Sequence, residues 1–400
     1  MREYTKIYIN EKAERSAKAG HPWIYGEEVT EIFGDYQNGD IVDVYTRKDK
    51  FIGSGFINDN SKILVRIFSR NANDTFDEKF WERRIRYAIE HRKTVFVPKN
   101  QSCARLIFGD SDGFPGLIVD RFENILVLQI MSLGIELRRE MLISLLLKVT
   151  NEFDMGITAV YERSDVAVRE KEGLEQRKGF LYGEGNGEVI ITENELKFAV
   201  DYINGQKTGY FLDQKLNRLA VSKISYKKKV LDCFTHTGAF ALNAAKGGAV
   251  SVTAVDISMD ALRQAEKNAE MNGIENIEFV CGDVFDYLGS DEVKTADYDF
   301  IILDPPAFTK STSTVTSAYR GYKEINLRAM KLLPRGGYLA TCSCSHFMTD
   351  DLFRKMIIDA AADAGVQLLE VENRRQSPDH PILWGIPETE YLKFYIFRVI

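Results

Sequence analysis

Between Lys229 and Asp256 the chain reads KVLDCFTHTGAFALNAAKGGAVSVTAVD, a succession of strand, tight turn, helix and strand around which any fold for this chain has to be built. Val230 and Leu231 begin a short apolar run, Gly238 sits at the turn, and Ala239 to Ala245 is helix-forming, with Phe240, Leu242 and Ala245 apolar. Gly247 and Gly248 then stop the helix. The next run, from Ser251 to Val255, is rich in β-branched residues and ends on Asp256, with Ile257 beside it. An acid at that place can accept hydrogen bonds from a ribose diol.

The turn narrows the choice of nucleotide. A dinucleotide fold uses several glycines to let backbone approach a pyrophosphate at a helix N-terminus. Here Gly238 is alone, and Phe234, Thr235, His236 and Thr237 fill the remaining positions. S-adenosyl-L-methionine carries no phosphate, so Asp232 near the strand end, one turn glycine and a ribose acid read as a methyl-donor site. An ordinary βαβ unit is the plain alternative. Phe234, Thr237, Gly238, Asp256 and Ile257 are the cofactor candidates of this stretch.

A chain of 400 residues exceeds what one core usually supports, which predicts two or three domains. With 44% hydrophobic and 28% charged residues it has the composition of a soluble globular protein, and no apolar stretch reaches membrane-spanning length. The opening MREYTKIYINEKAE lacks an apolar h-region, which predicts no secretory signal, no membrane partner and a cytoplasmic location. Five cysteines without a CxxC pair argue against a disulfide framework, and no metal site is expected. The net charge is −7, unevenly distributed: residues 1–100 hold 18 Lys or Arg against 16 Asp or Glu, leaving 34 against 43 in the rest. Contact with a polyanion is therefore expected to be local and biased to the N-terminal quarter.

Residues 1–72 read as a β-rich module, with IYIN, GDIVDVYT, FIGSGFIN and KILVRIFS as short strands of a small barrel. Trp23 and Tyr25 lie in an aromatic patch near Lys12, Arg15 and Lys18, a set that could stack on and grip RNA. Plugging the end of a barrel is an equal use for Trp23. A basic helix from Thr75 to Lys93 leads a central α+β unit, residues 73–187, whose strand ITAVYER ends near Arg163, a further candidate for RNA contact. Residues 189–201 form a hairpin pattern leading into NGQKTGYFLDQ, where Gly209 and Phe211 either cover the methionine end of a cofactor or simply connect domains. The third strand of the sheet, IEFV, leads to Asp283 and Val284, an acid for an adenine amino group and a neighbour for its ring. Strands and helices alternate from here as a doubly wound parallel sheet requires.

The fourth strand, DFIILD, ends in Asp304-Pro305-Pro306-Ala307-Phe308, at the edge where open α/β sheets bind ligands. The prolines aim the Asp304 carboxyl and the Pro305 carbonyl into the cleft, and Phe308 offers a face to a planar base. The next strand, GGYLATCSCSHF, should neighbour it across the topological switch point and carries Cys342 and Cys344, which alternation places on one facing. Cytosine and uracil give a reason for a thiol. Carbon-5 is a weak nucleophile until a thiolate adds to carbon-6, and an acid such as Asp304 at ring nitrogen 3 stabilises that adduct.

With HPWIY, SDGFPGLIVDRF, ERSDVAVREKEG, GQKTGYFLDQ, DPPAF, RGYKEIN and SCS in place over nearly its whole length, the chain resembles the bacterial RlmI family of rRNA cytosine-carbon-5 methyltransferases. The resemblance implies an α/β chain: a C-terminal Rossmann-like class I methyltransferase domain over 188–400, an N-terminal PUA-like barrel and a central α+β domain. It implies Cys344 as catalytic thiol, Asp304 as base-binding acid, Gly238, Asp256 and Asp283 at the cofactor, and 23S rRNA of the large subunit as partner, with a homodimer as a further expectation. Cys342 is an additional thiol where an apolar residue is expected. Competing readings are an exocyclic-amine methyltransferase, for which DPPAF alone suffices, an inactive RNA-binding assembly factor, and, weakest, a nicotinamide dehydrogenase. Asp256→Ala is predicted to weaken S-adenosylmethionine binding while leaving RNA affinity nearly unchanged, and calorimetry with both ligands checks it. An unaltered cofactor affinity would remove Asp256 from the site.

Overall fold

The short N-terminal runs pair as strands in a six-stranded sheet of order β2-β6-β5-β4-β1-β3, formed by β1 (Lys6–Ile9), β2 (Trp23–Tyr25), β3 (Val29–Phe33), β4 (Ile41–Thr46), β5 (Phe51–Ile57) and β6 (Ile63–Ser69). Only β1 with β4 is parallel. Helix α1 (Glu11–Lys18) is started by the Asn10 side chain, which accepts from the Ala13 amide, and buries Ala13 and Ala17 against Ile7, Ile9, Val42 and Val65. The computed structural model describes residues 4–96 and 101–400.

A second sheet of order β11-β10-β9-β8-β7 comprises β7 (Cys103–Phe108), β8 (Leu117–Phe122), β9 (Ile125–Ile130), β10 (Ala159–Ser164) and β11 (Arg177–Tyr182). Its one parallel pair, β9 with β10, is crossed by α3 (Leu133–Glu136) and α4 (Arg139–Glu152). Helix α2 (Glu78–Val95), capped by Asp77, is the basic helix expected from the sequence, but its charges are not all outward. Arg92 is buried and forks onto Asp112 at 2.6 and 2.8 Å, and Arg84 donates to the Gly113 carbonyl. Lys79, Arg83 and Lys93 are the exposed remainder.

The chain forms two units. The first is Met1–Ile191 with Val200–Leu212 and Pro378–Thr389, and the second is Thr192–Ala199, Asp213–Ser377 and Glu390–Ile400. The expected hairpin is present as β12 (Glu188–Glu193) and β13 (Leu196–Asp201), turning through Asn194 and Glu195, both at positive φ.

In the second unit a seven-stranded sheet runs β16-β15-β14-β17-β18-β20-β19, from β14 (Lys229–Cys233), β15 (Ser251–Asp256), β16 (Ile277–Cys281), β17 (Phe300–Leu303), β18 (Tyr338–Ser343), β19 (Leu368–Arg374) and β20 (Lys393–Val399). All pairs are parallel except those made by β20. The strand order reverses between β14 and β17, so the switch point lies one strand earlier than the sequence suggested, while β18 does neighbour β17. The unit's helices are α5 (Lys215–Ile224), α6 (Ala239–Lys246), α7 (Met259–Met271), α8 (Val284–Tyr287), α9 (Asp291–Thr295), α10 (Val315–Leu332) and α11 (Asp350–Ala364). Strand alternation sorts the apolar residues into two cores. Leu231, Leu303, Tyr322, Phe353 and Tyr395 share one, and Val230, Phe240, Ile302, Cys342 and Phe394 the other.

Trp81 shows how the first unit is tied together. It is fully buried and packs 5.2 Å from the Phe68 ring and 6.0 Å from Phe56, joining α2 to the six-stranded sheet. Trp81→Ala is expected to cost about 3–5 kcal/mol of unfolding free energy in denaturant titrations. A loss under about 1 kcal/mol would mean that this aromatic cluster does not hold the unit.

Candidate active site

At the carboxyl edge of β14 the chain crosses Phe234 and His236 at φ 63° and 51° and reaches Gly238 at φ 79°. A Cβ on Gly238 would lie 2.8 Å from Leu242 and 2.9 Å from Ala265, so glycine is required both for the conformation and for the approach of α7. Asp232 lies beneath this turn. Its Oδ2 accepts from the Thr235 hydroxyl at 2.6 Å and the Ala241 amide at 2.9 Å, while its buried Oδ1 has no partner. Burial pushes its carboxyl up to about 7, and the nearby acids Asp304 and Asp256 add to the shift.

Asp256 ends β15 and tethers the turn, accepting from the His236 and Ser258 amides, both at 2.9 Å. Ile257 beside it is 71% exposed, an apolar side chain standing in solvent next to an acid. Asp283 is exposed and caps α8 by accepting from the Phe285 amide at 2.7 Å. Val284 corrects the reading from sequence: its side chain is packed into the core, so it offers no open face to a ring. Thr237 is half-buried, its carbonyl accepting from Asn268. Gly209 and Phe211 belong to the first unit, with Gly209 at φ 123° and Phe211 under the Lys207 ammonium at 4.7 Å. An orphaned carboxylate oxygen, exposed apolar Ile257 and two acids at successive strand ends fit a cationic adenosyl compound.

Asp304 stands at the end of β17, half-buried, with Pro305 buried behind it. Gln214, just before α5, donates to its Oδ1 at 3.0 Å, and Asn217 fixes that amide by donating to the Gln214 carbonyl oxygen at 2.6 Å. Burial raises the Asp304 carboxyl to about 6, opposed by the Arg218 guanidinium and reinforced by Asp213. A carboxyl at that level exchanges a proton near neutrality.

The two thiols separate cleanly. Strand β18 ends at Ser343, so alternation does not carry on to Cys344, and the shared facing expected from sequence is not found. Cys342 is fully buried in the core, where burial pushes its thiol far up and Asp304 adds to the effect. Cys344 is half-buried in the loop beyond the strand. Its neighbours are pinned: the Ser343 hydroxyl donates to the Tyr322 hydroxyl at 3.1 Å, and the Ser345 hydroxyl to the Thr309 carbonyl at 2.9 Å. Phe308 packs on Tyr322 at 4.6 Å between ring centroids and is partly buried against the core.

The candidates for RNA contact divide. Lys12, Arg15 and Lys18 are exposed on the side of α1 away from buried Ala13 and Ala17, though Lys12 pairs with Glu28 and Lys18 with Glu14. Trp23 is half-buried, its indole N–H donating to Asp110 at 3.2 Å with Arg66 over its face, and Tyr25 is also half-buried. Arg163 is a correction. It is buried, and its guanidinium is satisfied by Asp165 and by the Tyr202 and Gly205 carbonyls, leaving no charge for a phosphate. Sequence reasoning missed Gln214, Tyr322 and Lys393, whose partners lie far away along the chain. Among the described residues, no group of three or more His, Cys, Asp or Glu is placed to hold a metal, and no helix is long and apolar enough to cross a membrane.

A mostly parallel sheet with a glycine turn and strand-end acids at its carboxyl edge defines an S-adenosylmethionine-dependent methyltransferase, and the sequence matches that family over residues 158–397. A PUA-like domain matches over residues 7–70. A solved chain from Streptococcus mutans, described as a candidate SAM-dependent methyltransferase, shares the fold at TM-score 0.82 and 22% identity, with 98% of this chain and 100% of that one covered. Proteins named ribosomal RNA large subunit methyltransferase I from Aeromonas salmonicida and Klebsiella pneumoniae are 42% and 40% identical, covering 98% and 99% of both chains respectively. The chain belongs to the ribosomal RNA large subunit methyltransferase I family.

Asp232 makes stability depend on pH in a defined sense. Its folded value near 7 lies above the unfolded value of about 3.9, so between those limits the native state holds a proton that the unfolded state has lost. Its contribution is therefore fully favourable below about pH 4 and is lost as pH rises to about 7. Asp232→Asn should remove this slope, and its stability relative to the parent should grow by roughly 2 kcal/mol between pH 5 and pH 8 in denaturant titrations. A pH-independent difference would mean that Asp232 is ionised in the fold at both pH values.

Proposed function

We propose that this chain methylates carbon-5 of a cytosine in 23S rRNA of the large ribosomal subunit, in the cytoplasm, with Cys344 as nucleophile and Asp304 as the acid that meets the base. The relatives' names point to the RNA, and the observation that carries the chemistry is the half-buried Cys344 held between two anchored serines, just past the end of the strand that neighbours the one leading to Asp304. S-adenosylmethionine, when bound, supplies an electrophilic methyl group on a sulfonium. Phe234, Gly238, Asp256, Ile257 and Asp283 would hold its adenosyl part, and Asp232 lies under the same turn.

The Cys344 thiolate adds to carbon-6, forming a carbon–sulfur bond as the carbon-5–carbon-6 π pair shifts into the ring. Asp304 shares its proton with ring nitrogen 3, so the displaced charge does not accumulate, and the raised carboxyl suits that exchange. Carbon-5, now enamine-like, takes the methyl group. Loss of the carbon-5 proton then returns the pair to the ring and expels the thiolate. Pro305 and Pro306 fix the backbone that aims Asp304. Lys12, Arg15, Lys18, Trp23 and Tyr25 are the proposed RNA contacts of the PUA-like domain, local basic and aromatic groups in an otherwise acidic chain.

A 5-fluorocytidine substrate carries fluorine where the departing proton should be, so a carbon-5 enzyme becomes covalently joined to its RNA. The expected result is a denaturant-resistant adduct with the parent protein and with Cys342→Ala, and none with Cys344→Ala, whose methylation falls by several orders of magnitude. An adduct kept by Cys344→Ala and lost by Cys342→Ala would move the nucleophile two residues. Methyl transfer to ordinary RNA with no adduct in any variant would favour methylation of an exocyclic amine.

A further inference from the structure

Lys393 begins β20 and is 5% exposed, an unusual place for an ammonium. In the antiparallel pairing of β18 with β20 it faces Ser343, the residue before Cys344. Its Nζ donates to the carbonyl of Ser345, the residue after Cys344, at 2.6 Å, and to its near neighbour Tyr391 at 2.9 Å. The Lys393 backbone thus pairs with the residue before the half-buried thiol, and its ammonium is bound to the carbonyl of the residue after it. Two carbonyls satisfy two of its three N–H donors but do not neutralise it, and a buried cation without an anion is costly.

We infer that Lys393 is a positioning residue that holds the Cys344 thiolate as its counter-ion and thereby sets the pH at which the nucleophile forms. This rests on the reading of Cys344 as nucleophile. The surrounding charges support the pairing. Burial pushes the Lys393 ammonium down to about 8, and among the groups that oppose this Cys344 comes first, ahead of Asp350 and Glu390. Both carboxylates have other partners: Asp350 accepts from Tyr395 and lies 3.7 Å from Arg354, and Glu390 pairs with Arg375 at 2.9 Å. The Tyr322 hydroxyl on α10 and the Cys342 thiol lie within the field of a Cys344 thiolate, which pushes both up, and Asp304 acts on both in the same sense. Lys393 is the cation of this group. A neighbouring positive charge favours thiolate over thiol, and the two groups titrate as a coupled pair.

The test reads the thiol directly, independent of catalysis. In a Cys281→Ser background, which removes the exposed cysteine, the rate of Cys344 alkylation by iodoacetamide is followed by peptide mass spectrometry from pH 5.5 to 10. Lys393→Gln keeps an N–H donor for the carbonyls without the charge, and Lys393→Arg keeps the charge. With Lys393→Gln the alkylation midpoint should rise by about 1–3 pH units, lowering the rate at pH 6.5 at least tenfold, with Lys393→Arg close to the parent. The pH profile of 5-fluorocytidine trapping should move in parallel. Superimposable alkylation profiles for Lys393→Gln and the parent would overturn the inference. If Lys393→Gln does not fold, the parent profile decides: a midpoint at or above about 8.5, the free-thiol value, overturns the pairing and a lower one supports it. A shifted alkylation profile together with full methylation by Cys344→Ala would uphold the pair and reject Cys344 as nucleophile, so the two readings fail separately.

Discussion

The chemistry of this protein depends on the parallel pairing of β14 with β15 on one side and β17 on the other. Parallel strands all end at one edge, and here the residues at or near those ends are Asp232, Asp256 and Asp304. Three carboxyl groups gathered where water is partly excluded cannot all ionise at ordinary cost. The sheet resolves the conflict by giving each a different environment. Asp256 is tied to two amides, Asp304 is contacted by a glutamine within reach of an arginine's field, and Asp232 is buried with one oxygen unmatched. Two of the three, Asp232 and Asp304, are thereby raised to about 7 and about 6, so each exchanges a proton near neutrality.

The last strand plays a comparable part for Cys344, the proposed nucleophile. A parallel sheet alone would place Cys344 in a loop with no fixed charge nearby. Antiparallel insertion of β20 between β18 and β19 brings Lys393 from the end of the sequence to the tip of β18. Because side chains alternate along a strand, a slip of one residue in this register would turn Lys393 to the opposite face. The two aromatic and aliphatic cores on either side of the sheet, including Phe394 and Tyr395 on opposite faces of β20, fix that register.

What was legible in the sequence was what is local. Lys229 to Asp256 announced its strand, turn and helix because the periodicity changes within a few residues, and Asp304-Pro305-Pro306 stood out because prolines end a ladder. The groups that set the behaviour of these residues were not legible, since Gln214 reaches Asp304 across 90 positions and Lys393 reaches Ser345 across 48. Arg163 was misread for the same reason. A strand-end arginine looks exposed until the carbonyls of Tyr202 and Gly205 close over it. Val284 follows an acid that faces solvent, yet the first turn of α8 carries its side chain inward. The resemblance set Cys344 apart from Cys342, but the physical difference, one thiol in the core and the other in a loop, shows only where the strand ends between them.

Phe234 and His236 adopt left-handed backbone, a conformation that costs a side chain on the order of 1–2 kcal/mol. Glycine would avoid that cost but would raise the entropy of the unfolded chain by a comparable amount, about 0.5–1 kcal/mol. At Phe234 the balance is tipped by the side chain itself, which packs against the core and meets Phe308 edge-on, so the residue that strains the turn also fastens it to the sheet beneath.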